Sequence, residues 1–216
     1  MIQVKFPNPI PPSHKRFSLQ LCFIMLIHKI MRISFDLDFV IFNIEPLYKR
    51  ANLELNVPYR RPMYYSIKQC YPEHVTRRLF ELFSSDALYM MPLISMEYPD
   101  ILNKLLQDDR YDISFVTQRR LSQPQKTYRQ LRNAGINCRF DQIYDRPGPK
   151  VDVLKEIQTD LHFDDSPYVV ADCLDAGVNI TMISNDGTPY NHHLRNRVQH
   201  YPDLKTALIK TGILTR

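Results

Sequence analysis

From Met31 onward the chain alternates short strand-like runs with helical patterns, and this alternation constrains the fold more than any other feature. Residues 32–37 (RISFDL) read as a strand ending in acids, and 111–117 (YDISFVT) as a second. The spacing predicts further strands at 138–144 (CRFDQIY), 160–164 and 178–184 (VNITMIS). Between them lie helical stretches. One opens at Pro99, one runs from about Pro124 to Gly135, and one starts near Lys150 after Pro147-Gly148-Pro149. Another is capped by Ser166-Pro167 and stops at Gly177, and Pro202 opens the last. Strands separated by helices of roughly ten to fifteen residues build right-handed β-α-β units. The expected class is therefore α/β, with a doubly wound parallel sheet. In such sheets a ligand sits beyond the carboxyl ends of the strands, which is where chemistry is to be sought.

Two segments break the pattern. Between the first strand and Pro99 lies a tyrosine-rich stretch whose best helix is Pro72 to Phe83, with Val75, Leu79 and Leu82 or Phe83 inward. An insertion of that length between core strands is usually functional, often a lid. The expected organisation is a core at 31–42 and 97–216, with a small, mainly helical cap at 43–96 inserted after the first strand. The other irregular segment is 1–30, broken by Pro7, Pro9, Pro11 and Pro12. Its apolar run, Leu19 to Ile27, falls short of the ~20 residues that span a bilayer, and no small-residue cleavage site follows. It reads either as a packing or membrane-surface extension, or as sequence upstream of a start at Met31.

The net charge of +5 does not make this a nucleic-acid binder. Lys5, Lys15, Arg16 and Lys29, with no acid among residues 1–30, supply most of it, so no extended basic footprint remains. The four cysteines, Cys22, Cys70, Cys138 and Cys173, are scattered and form no C-x-x-C pair. They read as reduced thiols of a cytoplasmic protein, with no membrane partner expected.

Several polar residues fall at or just past predicted strand ends: Asp36 and Asp38, Thr117, and Asp164-Asp165. A parallel sheet gathers them on one edge. Carboxylates crowded there repel one another unless a hard cation with oxygen ligands, most simply Mg²⁺, lies among them. Lys150 opens the helix after the third strand, where the macrodipole disfavours a cation by roughly 0.3–1 kcal/mol. Lys155 lies about 7.5 Å further from the edge, at 1.5 Å per residue. Lys150 is therefore the expected counter-charge.

Asp36-Leu37-Asp38 after an apolar strand, Thr117 closing another, Lys150, then an apolar strand ending Asp164-Asp165 resembles the four-motif pattern of the haloacid dehalogenase-like hydrolases. The resemblance covers residues 31 to about 190. It implies a Rossmannoid core and a magnesium-dependent phosphatase. Asp36 would be the nucleophile that forms an aspartyl-phosphate, and Asp38 the general acid and base. Thr117 and Lys150 would hold the phosphoryl group, and Asp36, Asp38 and Asp164 the metal, with Asp165 secondary. A looser resemblance, to the 5′(3′)-deoxyribonucleotidase-like branch, rests on Phe163-Asp-Asp-Ser-Pro167 and Pro189-Tyr190-Asn191. It implies a nucleoside monophosphate or similar small phosphorylated substrate. Phe39 departs from the pattern, which has Gly or a small polar residue after the second Asp.

Plainer readings stand beside these. An isolated D-x-D is commonly a turn, and Asp165 serves equally as a helix cap. Arg119 and Arg120 read as solvated or as substrate-binding. Adjacent His192-His193 point apart and lack ligand spacing. Tyr64-Tyr65 either pack or stack on a base. A phosphatase for another metabolite, or a non-catalytic protein whose phosphate site Phe39 blocks, are the competing functions.

Overall fold

The computed structural model describes residues 29–119, 121–185, 187–194 and 196–215. The leader reading, Arg120 and the side chains of His192 and His193 lie outside what it describes. The core is a six-stranded sheet: β1 (Met31–Phe35), β2 (Tyr111–Thr117), β3 (Ile143–Asp145), β4 (Leu161–Asp164), β5 (Ile180–Ile183) and β6 (His200–Tyr201). The order is β3-β2-β1-β4-β5-β6 and every pairing is parallel. This is the doubly wound arrangement predicted from the alternation. Its strand order reverses between β1 and β4, so the switch-point crevice falls between the ends of those two strands.

Helices cover both faces. Between β1 and β2 come α1 (Glu45–Glu54), α2 (Ile67–Cys70), α3 (Glu73–Phe83) and α4 (Tyr98–Leu106). Then follow α5 (Pro124–Asn133), α6 (Lys150–Glu156), α7 (Pro167–Ala176) and α8 (Leu204–Lys210). Local chemistry sets their ends. Proline occupies the first turn of α4, α5 and α7. Ser166 caps α7 by accepting from the Val169 amide, and Gly177 closes it in the left-handed region at φ 70°. Asp203 caps α8 by accepting from the Thr206 amide at 2.7 Å.

Among the strands, two differ from expectation. The strand predicted over 138–144 is a 3-10 turn at Phe140–Gln142 followed by the short β3. Cys138 and Ile136 are buried without pairing, so apolar character marked packing rather than a ladder. β6 follows Arg197 and Gln199, whose polarity hid a two-residue edge strand.

The sheet core stacks Phe35 on Phe163, ring centroids 5.2 Å apart, with Phe115 6.2 Å away on the other side. Burying each such ring contributes about 1.5–3 kcal/mol. The insert has its own apolar cluster, built from Ile44, Leu47 and Tyr48 with Val75, Leu79 and Leu82 of α3. Phe39 joins this cluster from the core side, and so roots the insert on the strand that carries Asp36. Among the described residues Cys70, Cys138 and Cys173 are free thiols, and no helix is long and apolar enough to cross a membrane.

Candidate active site

β1 ends by placing Asp36, whose amide donates to the Phe163 carbonyl of β4 at 2.8 Å. The two central strand ends are thereby tied together. Asp164 closes β4 and Asp165 follows it. Oxygens of Asp36, Asp164 and Asp165 come within 4.8 Å of one another, all buried. Lys150, at the start of α6, reaches into this group, with Nζ 2.9 Å from Asp36 Oδ1 and 2.6 Å from Asp164 Oδ2. Lys155 is exposed on the same helix. Thr117 is buried at the end of β2 and lines the same cleft.

The electrostatics follow from the geometry. Burial, reinforced by Asp164 and Asp38 and opposed by Lys150, raises the Asp36 carboxyl to about 7. Burial and the charges of Asp164 and Asp36 also push Asp165 well above the ordinary carboxylate range. For Asp164, burial acts upward but is outweighed by Lys150 and by a His162 hydrogen bond, which hold it at about 2. Burial acts downward on Lys150, and the flanking carboxylates outweigh it and keep the ammonium protonated. Three buried carboxyl groups facing one lysine can be ionised together only if a further cation offsets their charge. That donor set fits a hard divalent cation held by oxygen. Asp36, Asp164 and Asp165 would hold it.

Asp38, expected as a metal ligand with Asp165 secondary, is placed differently: Asp165 and not Asp38 stands with Asp36 and Asp164. The Asp38 carboxylate lies against Arg119 rather than in the acid cluster, with Nη2 to Oδ1 at 2.7 Å and Nε to Oδ2 at 3.2 Å. Of the two readings of Arg119, solvation does not hold, since its side chain is only 1% exposed. Its remaining guanidinium nitrogen donates to Gln130 Oε1 at 2.8 Å, and its Cζ lies 5.1 Å from the Tyr89 ring centroid.

Phe39 takes a left-handed backbone at φ 59°, inside the turn in which the Ile41 and Phe42 amides both donate to the Leu37 carbonyl. Asn185 Nδ2 donates to its carbonyl at 2.6 Å. A small residue is normal in such a turn because a bulky one is strained there. The packing of the Phe39 ring among Ile44, Leu47 and Tyr48 offsets that strain.

Sequence reasoning missed His162. Fully buried on β4, it places Nε2 2.9 Å from Asp164 Oδ2 and Nδ1 2.8 Å from Ser34 Oγ. The signal was available, because residues two apart on a strand share a face. The Pro189–Asn191 block also acquires a job. Tyr190 Oη donates to Asp165 Oδ2 at 3.1 Å and Asn191 Nδ2 donates to the Asp165 carbonyl, so the loop after β5 braces the acid pair. Tyr65 of the insert meets Tyr168 and Tyr190 edge-on, at 5.2 and 5.5 Å. Of the two readings of Tyr65, packing across the cleft is what the structure displays.

No protein-family model and no curated protein sequence matches the chain. Solved structures do. A haloacid dehalogenase-like hydrolase family protein from Streptococcus pneumoniae is 17% identical, covers 85% of this chain and 98% of its own, and superposes with a TM-score of 0.60. L-2-haloacid dehalogenase from Xanthobacter autotrophicus is 10% identical over 86% of this chain and 100% of its own, with a TM-score of 0.53. YfnB of Bacillus subtilis, a HAD-hydrolase by name whose structure is bound to magnesium, is 15% identical over 85% and 99%, with a TM-score of 0.51. The chain therefore has the fold of the haloacid dehalogenase-like hydrolases: a parallel Rossmannoid sheet with an acidic cluster at its switch point.

Proposed function

We propose that this protein is a magnesium-dependent phosphomonoester hydrolase that works through an aspartyl-phosphate on Asp36. The observation that carries the reading is the buried group of Asp36, Asp164 and Asp165 with Lys150 bridging the first two, at the carboxyl ends of β1 and β4. Asp36 Oδ attacks phosphorus in line with the leaving oxygen. Lys150, with Thr117 beside it, meets the charge on the equatorial oxygens of the transferring phosphoryl group. Asp38 gives a proton to the departing alcohol and then takes one from the water that cleaves the aspartyl-phosphate. Magnesium held by Asp36, Asp164 and Asp165 would supply charge neutralisation for the phosphoryl group.

The favoured substrate is a nucleoside monophosphate or a similar small phosphate ester. This rests on the resemblance carried by Phe163–Pro167 and Pro189–Asn191. The competing non-catalytic reading has Phe39 blocking the phosphate. Its ring is part of the insert's apolar cluster, which favours the enzyme.

Hydrolysis of p-nitrophenyl phosphate tests the reading. Turnover is expected with Mg²⁺, is expected to vanish in excess EDTA, and is expected to be lost in Asp36→Asn with an unchanged circular-dichroism spectrum. Activity that survives chelation or the Asp36 substitution sinks it.

A further inference from the structure

The cleft over Asp36 has a volume of about 880 Å³ and runs from the sheet edge into the insert. Sites that take ligands of drug size span roughly 300–1,000 Å³, so there is room beside the phosphate for a ring-sized group. The chemistry of the lining divides. At the sheet edge it is charged, and the two cations among the described lining residues are both engaged there: Lys150 with Asp36 and Asp164, Arg119 with Asp38. Away from that edge the insert contributes Ile44, Ile67, Phe80, Phe83 and Leu88, and α7 contributes Tyr168 and Val169 together with the exposed Asp172, whose charge would repel a second acid.

These side chains cover the space that the leaving alcohol occupies once the phosphorus lies against Asp36. An uncharged ring gains there by leaving water and by edge or face contacts with Phe80, Phe83 and Tyr168. A second phosphate, a carboxylate or a polyol would surrender its hydration to carbon, which costs free energy unless hydrogen bonds replace it. We infer that the substrate is a phosphate monoester of an alcohol bearing an uncharged aromatic ring, and not of a polyol or sugar that lacks such a ring, or of a second acid. The inference rests on the phosphomonoesterase reading and narrows it. Nucleoside monophosphates fall inside the class; glycerol phosphate, hexose phosphates and bisphosphates fall outside it.

The test compares two alkyl esters, 2-phenylethyl phosphate and glycerol 3-phosphate, so that neither has an activated leaving group. With the full chain and Mg²⁺, kcat/KM is expected to be at least about tenfold higher for the phenylethyl ester, which is the scale of discrimination one apolar contact group provides. Phe80→Gln and Tyr168→Ser change the lining at two separate elements, α3 and α7. Each is expected to lower that ratio at least about threefold, chiefly by raising KM for the phenylethyl ester. Tyr168 is exposed, so its variant tests the ratio even if Phe80→Gln fails to fold. Equal efficiencies, a preference for glycerol 3-phosphate, or a ratio that neither variant moves overturns the inference and leaves the phosphatase reading in place. No turnover of either ester, or of p-nitrophenyl phosphate, removes both.

Discussion

At the scale of single residues, Arg119 alters the chemistry most. A guanidinium forked onto both oxygens of Asp38 fixes the plane of that carboxylate, and a lysine cannot reproduce the fork. Gln130 and the Tyr89 ring hold the guanidinium in turn, so it is fixed where it positions Asp38. Arg119→Lys is therefore expected to lower kcat at least about tenfold with little change in KM. Under the proposed mechanism the loss is expected to be larger for an alkyl phosphate than for p-nitrophenyl phosphate, because the poorer leaving group would then depend on a proton from Asp38. A steady-state comparison of the two esters checks this, and equal losses mean that Arg119 is structural only. The alternation placed Asp36, Thr117, Lys150 and Asp164 at strand ends or a helix start, and the structure brings these four to one cleft or cluster. It did not show that Arg119 is buried, because Asp38, Tyr89 and the α5 pair Thr127 and Gln130 reach it from three separate segments.

At the scale of elements, legibility followed local chemistry. α5 and α7 carry their own punctuation in Pro124, Gly135, Ser166 and Gly177, and the sequence marked them closely, whereas α8 opens two residues beyond the expected Pro202 because Asp203 caps it. α1 was missed because its polar face and early Pro46 gave a weak helical pattern, and its burial depends on α3. The seat of the insert was equally hidden, because it depends on a contact between segments remote in sequence. A Cβ built on Gly187, in the loop after β5, would lie 2.7 Å from Phe39 Cε1 and 3.0 Å from Asn185 Oδ1. Gly187 is small because the Phe39 ring occupies its side-chain space. Gly187→Ala is expected to destabilise the protein by about 1–3 kcal/mol, the usual cost of overpacking. The same substitution made beside Phe39→Leu is expected to cost at least about 1 kcal/mol less, a coupling that contacting residues show and distant ones do not. Urea unfolding of the four proteins of the cycle measures it. Additive effects would mean that the ring moves aside freely and does not root the insert.

At the scale of the whole molecule, the topology concentrates unlike tasks at one place. The strand-order reversal brings β1 and β4 together, and with them three buried carboxylates whose mutual repulsion the fold must carry. This cost has a pH signature. Asp36 has its carboxyl raised by burial from 3.8 to about 7, so in metal-free protein the folded state keeps a proton that the unfolded chain gives up. The contribution is fully present below about pH 4 and is lost as pH rises to about 7; Asp165, also raised, acts in the same direction. Asp164, lowered to about 2, acts in the opposite sense, but its window lies below about pH 4. His162, lowered by burial, favours the folded state as pH rises toward neutrality and so opposes Asp36 within the same range. Comparison with Asp36→Asn isolates the carboxylate, because His162 is common to both proteins. In EDTA, the parent's thermal midpoint is expected to fall relative to that of Asp36→Asn between about pH 5 and about pH 7.5. Millimolar Mg²⁺ is expected to raise the parent's midpoint at the higher pH by about 5 °C, the effect of a ligand near 100-fold over its Kd on a domain of this size. The rise is expected to shrink at the lower pH, where protons compete for the same oxygens, and to be smaller in Asp36→Asn. Scanning calorimetry at both pH values reads all of these at once. Parallel pH slopes in the two proteins, or a magnesium shift that ignores both pH and the substitution, would mean that Asp36 is not a member of the cation-binding group.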